Sequence, residues 1–166
     1  MRNLSAIAAA AIAASVLGMA AGAHAAEISR VATPGPGIAS AAYVPAGADT
    51  FSVSGITPSA SSAAGVTPAV YGDTKTQTMS VLTKIQDILK GKGMDMTDVV
   101  MMRVLLVGDP SMGGKMDFAG MNAAYGTFFG TPAQPNKPAR ITSQVVALAN
   151  PAYLVEIEVQ AAKMPK

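Results

Sequence analysis

The residues V-V-M-M-R-V-L-L-V, Val99 to Val107, form a run of nine with a single charged side chain, Arg103. Apolar and β-branched residues in a continuous run are typical of a strand that is covered on both faces. We therefore expect this strand to lie inside the protein, with its sequence neighbours packed around it. The segment from Gly108 to Gly114, which contains Pro110, ends the strand in a loop.

A helix is predicted just before this strand, over residues 74–90. Its apolar side chains recur at spacings of three, three, three and one, which indicates one apolar stripe along a helix. The stripe consists of Met79, Leu82, Ile85, Ile88 and Leu89. Asp73 or Thr74 can cap the start of the helix, and Gly91 and Gly93 can end it.

Shorter elements complete the predicted domain. Two short strands around a turn are expected between Ala42 and Ser54, a second helix over Met116 to Phe129, and two final strands over Arg140 to Leu148 and Tyr153 to Ala162. The order β-β-α-β-α-β-β predicts an α+β fold, in which two helices cover one face of a mostly antiparallel sheet. The domain is expected to span 38–166, after a flexible leader at 26–37.

Residues 1–25 have the features of a secretory signal peptide. Arg2 supplies the positive start, residues 6–21 form an Ala-rich apolar run, and Ala23-His24-Ala25 matches the small-x-small cleavage pattern. The alternative is a membrane anchor, although the run is short for a spanning helix. Cleavage after Ala25 predicts a periplasmic or secreted protein with no membrane attachment.

The composition of the mature chain excludes several classes of site. His24 is the only histidine, so residues 26–166 contain no His, Cys or Trp, and the formal net charge falls from +2 to +1 with the loss of Arg2. Ser–His and Cys–His nucleophilic pairs and the usual zinc sites are thereby excluded. We expect no metal and no cofactor. A chain this weakly charged also lacks the basic stripe of a nucleic-acid-binding protein.

Two groups of charged residues could carry chemistry. Arg140 follows Pro138 at the start of a predicted strand, and its planar guanidinium can hold a carboxylate through two hydrogen bonds. Glu156 and Glu158 are spaced by two on the last strand and therefore share one face. The alternatives are a surface arginine and a solvated strand face.

From about Ile38 to Ala162 the sequence resembles the YjgF/RidA (reactive intermediate deaminase) family. The resemblance is carried by several blocks in a specific order and spacing. The blocks are Ser54-Gly55, Gln77 to Leu82, Met94 to Val107, Asp117 to Asn122 with Tyr125 and Phe128-Phe129, Pro138-Ala139-Arg140, and Val155-Glu156-Ile157-Glu158. It implies a chorismate-mutase-like fold and a homotrimer with a pocket at each subunit boundary.

The resemblance also implies an activity, the cofactor-free hydrolysis of enamines and imines such as 2-aminoacrylate to 2-keto acids and ammonia. It implies that Arg140 binds the substrate carboxylate and that Glu156 orients or activates water. Asn122, a signature residue, and Thr142, which stands where the family has a cysteine, complete the predicted substrate-binding set. The family's tyrosine before the first strand falls near Ser40, since Tyr43 comes too late.

Two other functions fit the same residues. One is a non-catalytic trimer that uses Arg140 to bind a small carboxylate. The other is a structural or chaperone-like trimer with an inert cleft.

Overall fold

The run Val99–Val107 is an inner strand of a six-stranded sheet in the computed structural model, which describes residues 26–33 and 37–165. The predicted signal peptide, residues 1–25, lies outside the described residues. The strands and helices are β1 (Ser29–Ala32), β2 (Ala39–Tyr43), β3 (Asp49–Ile56), α1 (Thr74–Lys90), β4 (Val99–Val107), α2 (Phe118–Tyr125), β5 (Ala139–Val145) and β6 (Val155–Lys163).

The sheet is mixed, with the strand order β1-β2-β5-β4-β6-β3. Strand β4 pairs parallel to β5 and antiparallel to β6, and β2 also pairs parallel to β5. The β4–β5 pair is parallel because α2 provides the crossover that parallel neighbours require. The α+β fold with two helices is confirmed, and antiparallel pairing accounts for three of the five strand pairs.

The predicted leader, residues 26–37, contains a strand that the sequence analysis did not foresee. Strand β1 pairs antiparallel with β2, and the Arg30 side chain donates hydrogen bonds to the carbonyls of Thr97 and Val99 at 2.9 and 3.0 Å. These long-range bonds attach this part of the leader to the domain. The two strands predicted between Ala42 and Ser54 correspond to β2 and β3, which lie apart in the sheet rather than pairing with each other.

Helix α1 agrees closely with its predicted limits. Asp73 caps it by accepting a hydrogen bond from the Thr76 backbone N–H at 2.8 Å, and the helix ends before Gly91. Its buried face is turned relative to the predicted stripe, since Ile88 is 37% exposed. The buried side chains are Thr74, Gln77, Thr78, Val81, Leu82, Ile85 and Leu89.

Helix α2 is shorter than the predicted span of 116–129. It begins after Asp117, whose carboxylate accepts a hydrogen bond from the Gly120 N–H at 2.8 Å, and it ends at Tyr125 before Gly126. The chain then continues through turns in which the Phe129 N–H donates to the Tyr125 carbonyl. Met121, Tyr125 and Phe129 join the same hydrophobic core as α1 and the sheet.

The two faces of the sheet differ in what covers them. Met102, Val104 and Leu106 of β4 are fully buried in the core beneath the helices, whereas Arg103 between them is exposed. We call the first side the helix face and the other side the open face. The prediction that β4 is covered on both faces was therefore wrong for the single chain, because both helices lie on the same side. No helix of the described ranges is long and apolar enough to cross a membrane.

Candidate functional site

A cavity of about 550 Å³ opens beside α2. Its walls come from the chain around β1 and β2, from the exposed end and side of α2, and from the segment that leads into β5. The lining residues that bear on its chemistry are Gly37, Phe118, Asn122, Tyr125, Lys137 and Arg140. The cavity thus lies on the helix face of the sheet.

Arg140 places a charged guanidinium at this cavity, and four side chains lie around it. Nη2 donates a hydrogen bond to Asn122 Oδ1 at 2.8 Å, and Nη1 lies 3.8 Å from Met121 Sδ. The guanidinium carbon lies 4.4 Å from the centre of the Tyr125 ring and 5.8 Å from that of Phe118, which are cation–π distances. Arg140 remains only partly buried and lines the cavity.

Burial shapes the ionisation of the two principal groups. Desolvation lowers the pKa of Arg140 from its usual range, but a guanidinium starts from so high a value that it stays charged. Desolvation also raises the pKa of Tyr125 to about 12, so its hydroxyl is neutral at physiological pH. That hydroxyl donates a hydrogen bond to the Gly37 carbonyl at 3.2 Å, and the ring stacks on Phe129 at 4.8 Å. Tyr125 therefore supports the guanidinium as a neutral ring.

Two cationic side chains line the described part of the cavity. They are Lys137 and Arg140, and no aspartate or glutamate stands among the described lining residues. None of the three ion pairs within residues 26–33 and 37–165 involves Arg140; they are Lys90–Asp87, Arg103–Glu158 and Lys163–Asp98. A half-buried guanidinium that bonds an amide and a thioether retains donors for an anion. In the described part of the chain, no three His, Cys, Asp or Glu side chains gather where a metal ion could bind.

The structure brings two of the four predicted site residues into contact and places a third on the same face of the sheet. Arg140 and Asn122 are in direct contact, and Thr142 lies on the same face of β5 because it follows Arg140 by two positions. The Thr142 hydroxyl is buried and has no hydrogen-bond partner within the described ranges. Thr142 is not among the described residues that line the cavity. The roles assigned to these three residues remain predictions.

Glu156 lies on the other side of the sheet. It pairs with Leu105 on β4, next to the Glu158–Arg103 ion pair, so both glutamates project from the open face. Within one chain the sheet therefore separates Glu156 from Arg140. The Glu156 carboxylate packs against Gly55, where an added Cβ would lie only 1.9 Å from Oε1. Gly55 belongs to an irregularity of β3 between Val53 and Ile56, and it provides the space that this carboxylate occupies.

Several cavity residues were missed by sequence reasoning. Phe118, Asn122 and Tyr125 follow one another at spacings of four and three, which places them on one face of a helix. That periodicity could have assigned the two aromatic rings to the site of Asn122. Lys137 immediately precedes Pro138-Ala139-Arg140. The sequence does not indicate where the side chain of a lysine before a proline points. Neither Ser40 nor Tyr43, considered for the tyrosine position of the resemblance, lines the cavity.

Comparisons with known proteins agree on one family. The model of the Endoribonuclease L-PSP family matches residues 37–163. A RutC family protein from Sulfurisphaera tokodaii is 37% identical over 94 residues, which are 57% of this chain and 66% of that relative, just under two thirds of its length.

Solved structures extend the similarity to the fold. YyfB from Yersinia pestis, a protein of unknown function of the conserved Rid family, is 29% identical with a TM-score of 0.59, over 76% of this chain and 87% of that one. TdcF from E. coli, solved with bound serine, is 25% identical with a TM-score of 0.54, over 81% and 93% of the two chains. The matched region includes both helices and every strand after β1, and the chain therefore belongs to the Endoribonuclease L-PSP family, which contains the YjgF and Rid proteins.

Proposed function

We propose that this protein hydrolyses reactive imines and enamines of the 2-aminoacrylate type to 2-keto acids. In this reaction water adds to the C2=N carbon of a 2-imino acid, and the resulting carbinolamine expels ammonia to leave the keto group. The imine is already reactive towards water, so catalysis requires a held substrate, a positioned water and a group that moves protons. None of these needs a metal or a cofactor.

The observation that carries the proposal is the position of Arg140. A charged, half-buried guanidinium faces a cavity whose described lining contains no acidic side chain. Its planar donor fork is suited to the α-carboxylate that every 2-imino and 2-keto acid carries. Asn122 and the Tyr125 ring fix its orientation, and this pre-organisation lowers the entropy lost on binding. The bound serine of the TdcF structure also carries an α-carboxylate, which is consistent with this ligand class.

In this proposal, a second copy of the chain supplies Glu156 to the cavity. We propose a homotrimer in which the open face of one subunit lies against the next, so that Glu156 of one copy reaches the cavity of another. The open face provides apolar surface for such contacts, since Ile141 is 49% exposed on it. A monomer in light scattering at micromolar concentration would contradict the assembly.

A second function is favoured by a specific observation. Among the described residues that line the cavity, Arg140 can hold a carboxylate, and none is an acidic side chain that could act as a base. A binding protein for small carboxylates requires no more than that. In this alternative, Arg140 holds the ligand without turnover.

One assay separates the two functions. An amino-acid oxidase generates 2-iminopropionate in solution, and the loss of the imine is followed with and without the purified mature protein. Faster loss that depends on Arg140 supports the hydrolase. Keto-acid binding in calorimetry without any acceleration supports the binding protein.

The cellular location is a separate proposal. Export through the signal peptide at 1–25 would place the activity in the periplasm or outside the cell. N-terminal sequencing of material from the cell envelope should find a chain that begins at or near Ala26. An intact Met1 would contradict this.

A further inference from the structure

We propose that Arg30 is a positioning residue of the cavity. It fastens β1 to the short turn at Met96–Asp98, and β1 holds one wall of the cavity in place around the ligand of Arg140. The inference rests on the proposed ligand class, a small α-carboxylate bound by Arg140, and adds a residue on which its affinity depends. The wall consists of three lining residues that lie between β1 and β2 in the chain, Thr33, Gly37 and Ile38.

Strand β1 has little packing of its own to hold it. It is an edge strand of four residues that pairs only with β2 among the described strands. Arg30 is the one residue of β1 that is not exposed, whereas its neighbour Val31 is 60% exposed. The strand therefore buries almost no apolar surface, and a single strand pair is marginally stable in water. We expect the attachment of β1 to depend on the side chain of Arg30.

The Arg30 guanidinium reaches the start of β4. Its Nη2 donates hydrogen bonds to the carbonyls of Thr97 and Val99 at 2.9 and 3.0 Å, across 67 and 69 residues of sequence. The turn that carries these acceptors is itself fixed by a capping box. In it, the Asp95 carboxylate accepts from the Thr97 N–H at 2.7 Å, and the Asp98 carboxylate accepts from the Asp95 N–H at 2.9 Å. Arg30 thus joins a weakly packed strand to a fixed part of the domain.

The same turn also holds the segment that leads into β5. Asn136 Nδ2 donates a hydrogen bond to the Thr97 carbonyl at 3.1 Å, so this one oxygen accepts from both Arg30 and Asn136. The residues that follow Asn136 lead directly to Arg140. The strand that supports the wall and the segment that carries the guanidinium therefore share one anchor.

The wall is linked to the Arg140 guanidinium as well. The Tyr125 hydroxyl donates a hydrogen bond to the Gly37 carbonyl at 3.2 Å, and the same ring lies 4.4 Å from the guanidinium carbon. The Thr33 hydroxyl donates to the Ile38 carbonyl, which connects the chain just after β1 to the chain just before β2. Release of β1 would therefore remove support from the wall and, through Gly37 and Tyr125, from the cation that binds the ligand.

The first test measures pyruvate affinity by calorimetry on the purified mature protein, well below its melting transition. Arg30→Met keeps an unbranched side chain but removes every donor, and pyruvate should bind roughly fivefold more weakly. Arg30→Lys should restore part of the loss, because an ammonium can still donate to a carbonyl. A purely structural role of Arg30 would lower the melting temperature but leave the pyruvate affinity of the folded protein unchanged.

Lys163→Met is the matched control. It removes a cation that donates to the Gly93 carbonyl at 2.7 Å and pairs with Asp98 of the same turn at 3.7 Å. Lys163 lies on β6 and is not among the described residues that line the cavity. Its loss should therefore leave pyruvate affinity unchanged.

Hydrogen exchange tests the link without any substitution. Pyruvate bound at Arg140 should slow the exchange of the amides of residues 29–32 in the unmutated protein, because the ligand favours the state in which β1 is attached. In Arg30→Met these amides should exchange faster and gain less protection from pyruvate. The two effects are reciprocal, since a strand that raises ligand affinity must itself be stabilised by the ligand.

The outcomes also distinguish this inference from the proposed function. Unchanged pyruvate affinity in Arg30→Met, an equal loss in Lys163→Met, or exchange of residues 29–32 that does not respond to pyruvate overturns the role of Arg30 and leaves imine hydrolysis untouched. A loss of affinity confined to the Arg30 variants, together with slower exchange of β1 in the presence of pyruvate, supports the inference even if no imine is hydrolysed.

Discussion

Arg140 and Asn122 are joined by a hydrogen bond of 2.8 Å that links the start of β5 to the middle of α2. The bond runs from a guanidinium donor to an amide oxygen, so it orients the cation without neutralising it. The Tyr125 ring supports the guanidinium from another side at 4.4 Å. The result is a fixed cation that keeps its charge for a ligand.

The first prediction concerns Arg140 itself. Replacing it with Ala removes a charge-assisted bidentate contact and should weaken pyruvate or 2-ketobutyrate binding by roughly 2–4 kcal/mol. Lys should restore only part of this, because an ammonium lacks the planar fork. Calorimetry measures binding, and imine loss measures turnover. If Arg140→Ala changes neither quantity, the site assignment is wrong.

Substitutions of Asn122 test whether Arg140 binds the ligand through its positive charge. Asn122→Asp replaces the amide with a carboxylate next to Nη2, and this internal anion should occupy Arg140 and compete with the ligand. Keto-acid affinity should therefore fall further in Asn122→Asp than in Asn122→Ala. In Asn122→Ala the loss of the hydrogen bond that orients Arg140 should cost about 1 kcal/mol of binding free energy. Thermal melting provides the control, since Asn122→Asp should not be the less stable of the two. Equal affinity in both variants would contradict the role of Arg140 as the ligand's counter-ion.

Local patterns in the sequence predicted most elements of this fold. The limits of α1 followed from its periodicity and from a capping aspartate, and the alternation of β6 showed that Glu156 and Glu158 share one face. Both properties depend only on neighbours in the chain. The resemblance assigned Arg140 and Asn122 to one substrate-binding set, and the structure places the two side chains 2.8 Å apart.

The features that the sequence did not predict depend on contacts between residues far apart in the chain. Gln77 interrupts the apolar pattern of α1, yet it is 1% exposed, because it bonds the carbonyls of Gly72 and Ala152 and accepts from the Leu154 N–H. Strand β1 has only four residues and forms through pairing with β2. The placement of Arg140 and Glu156 on opposite faces follows from the register of β5 and β6 on β4, and register is a tertiary property.

A third prediction concerns the cap of α1 and its dependence on pH. The hydrogen bond from Thr76 lowers the pKa of Asp73, so the folded state favours the charged carboxylate. The cap should therefore stabilise the protein above the unfolded pKa, about 4, and lose its effect as pH falls through the lower folded value. Asp73→Ala should cost about 1 kcal/mol at pH 7 in urea unfolding. The difference from the unmutated protein should shrink at lower pH.

Asp73→Asn is the matched control for this effect. It retains the capping oxygen but cannot titrate, so its contribution should not change between pH 7 and 3. A gap between the unmutated protein and Asp73→Ala that stays constant over that range would show that ionisation of Asp73 does not contribute.

Gly55 offers a way to move the Glu156 carboxylate without replacing it. An Ala methyl at Gly55 would meet Oε1 at 1.9 Å, and the flexible end of Glu156 would have to shift. Gly55→Ala should therefore lower imine turnover, as Glu156→Gln should, while keto-acid binding and the melting temperature change little. Glu158→Gln, which breaks only the exposed pair with Arg103, is the control and should remain active. Normal turnover in Gly55→Ala would show that imine hydrolysis does not depend on the position of the Glu156 carboxylate.

The last prediction uses the separation of Arg140 and Glu156 by the sheet. If a complete site combines Arg140 of one copy with Glu156 of another, two inactive variants should complement each other when they assemble together. Arg140→Ala and Glu156→Gln are mixed in equal amounts, unfolded and refolded, and imine turnover is measured. With random assembly, about a quarter of the sites receive both intact residues, so about a quarter of the unmutated activity should return. Mixing the two variants after separate folding should give none, because the subunits have not exchanged. If the refolded mixture is as inactive as its components although the unmutated protein survives the same refolding, then Arg140 and Glu156 do not meet across a subunit boundary and the catalytic assignment of Glu156 fails.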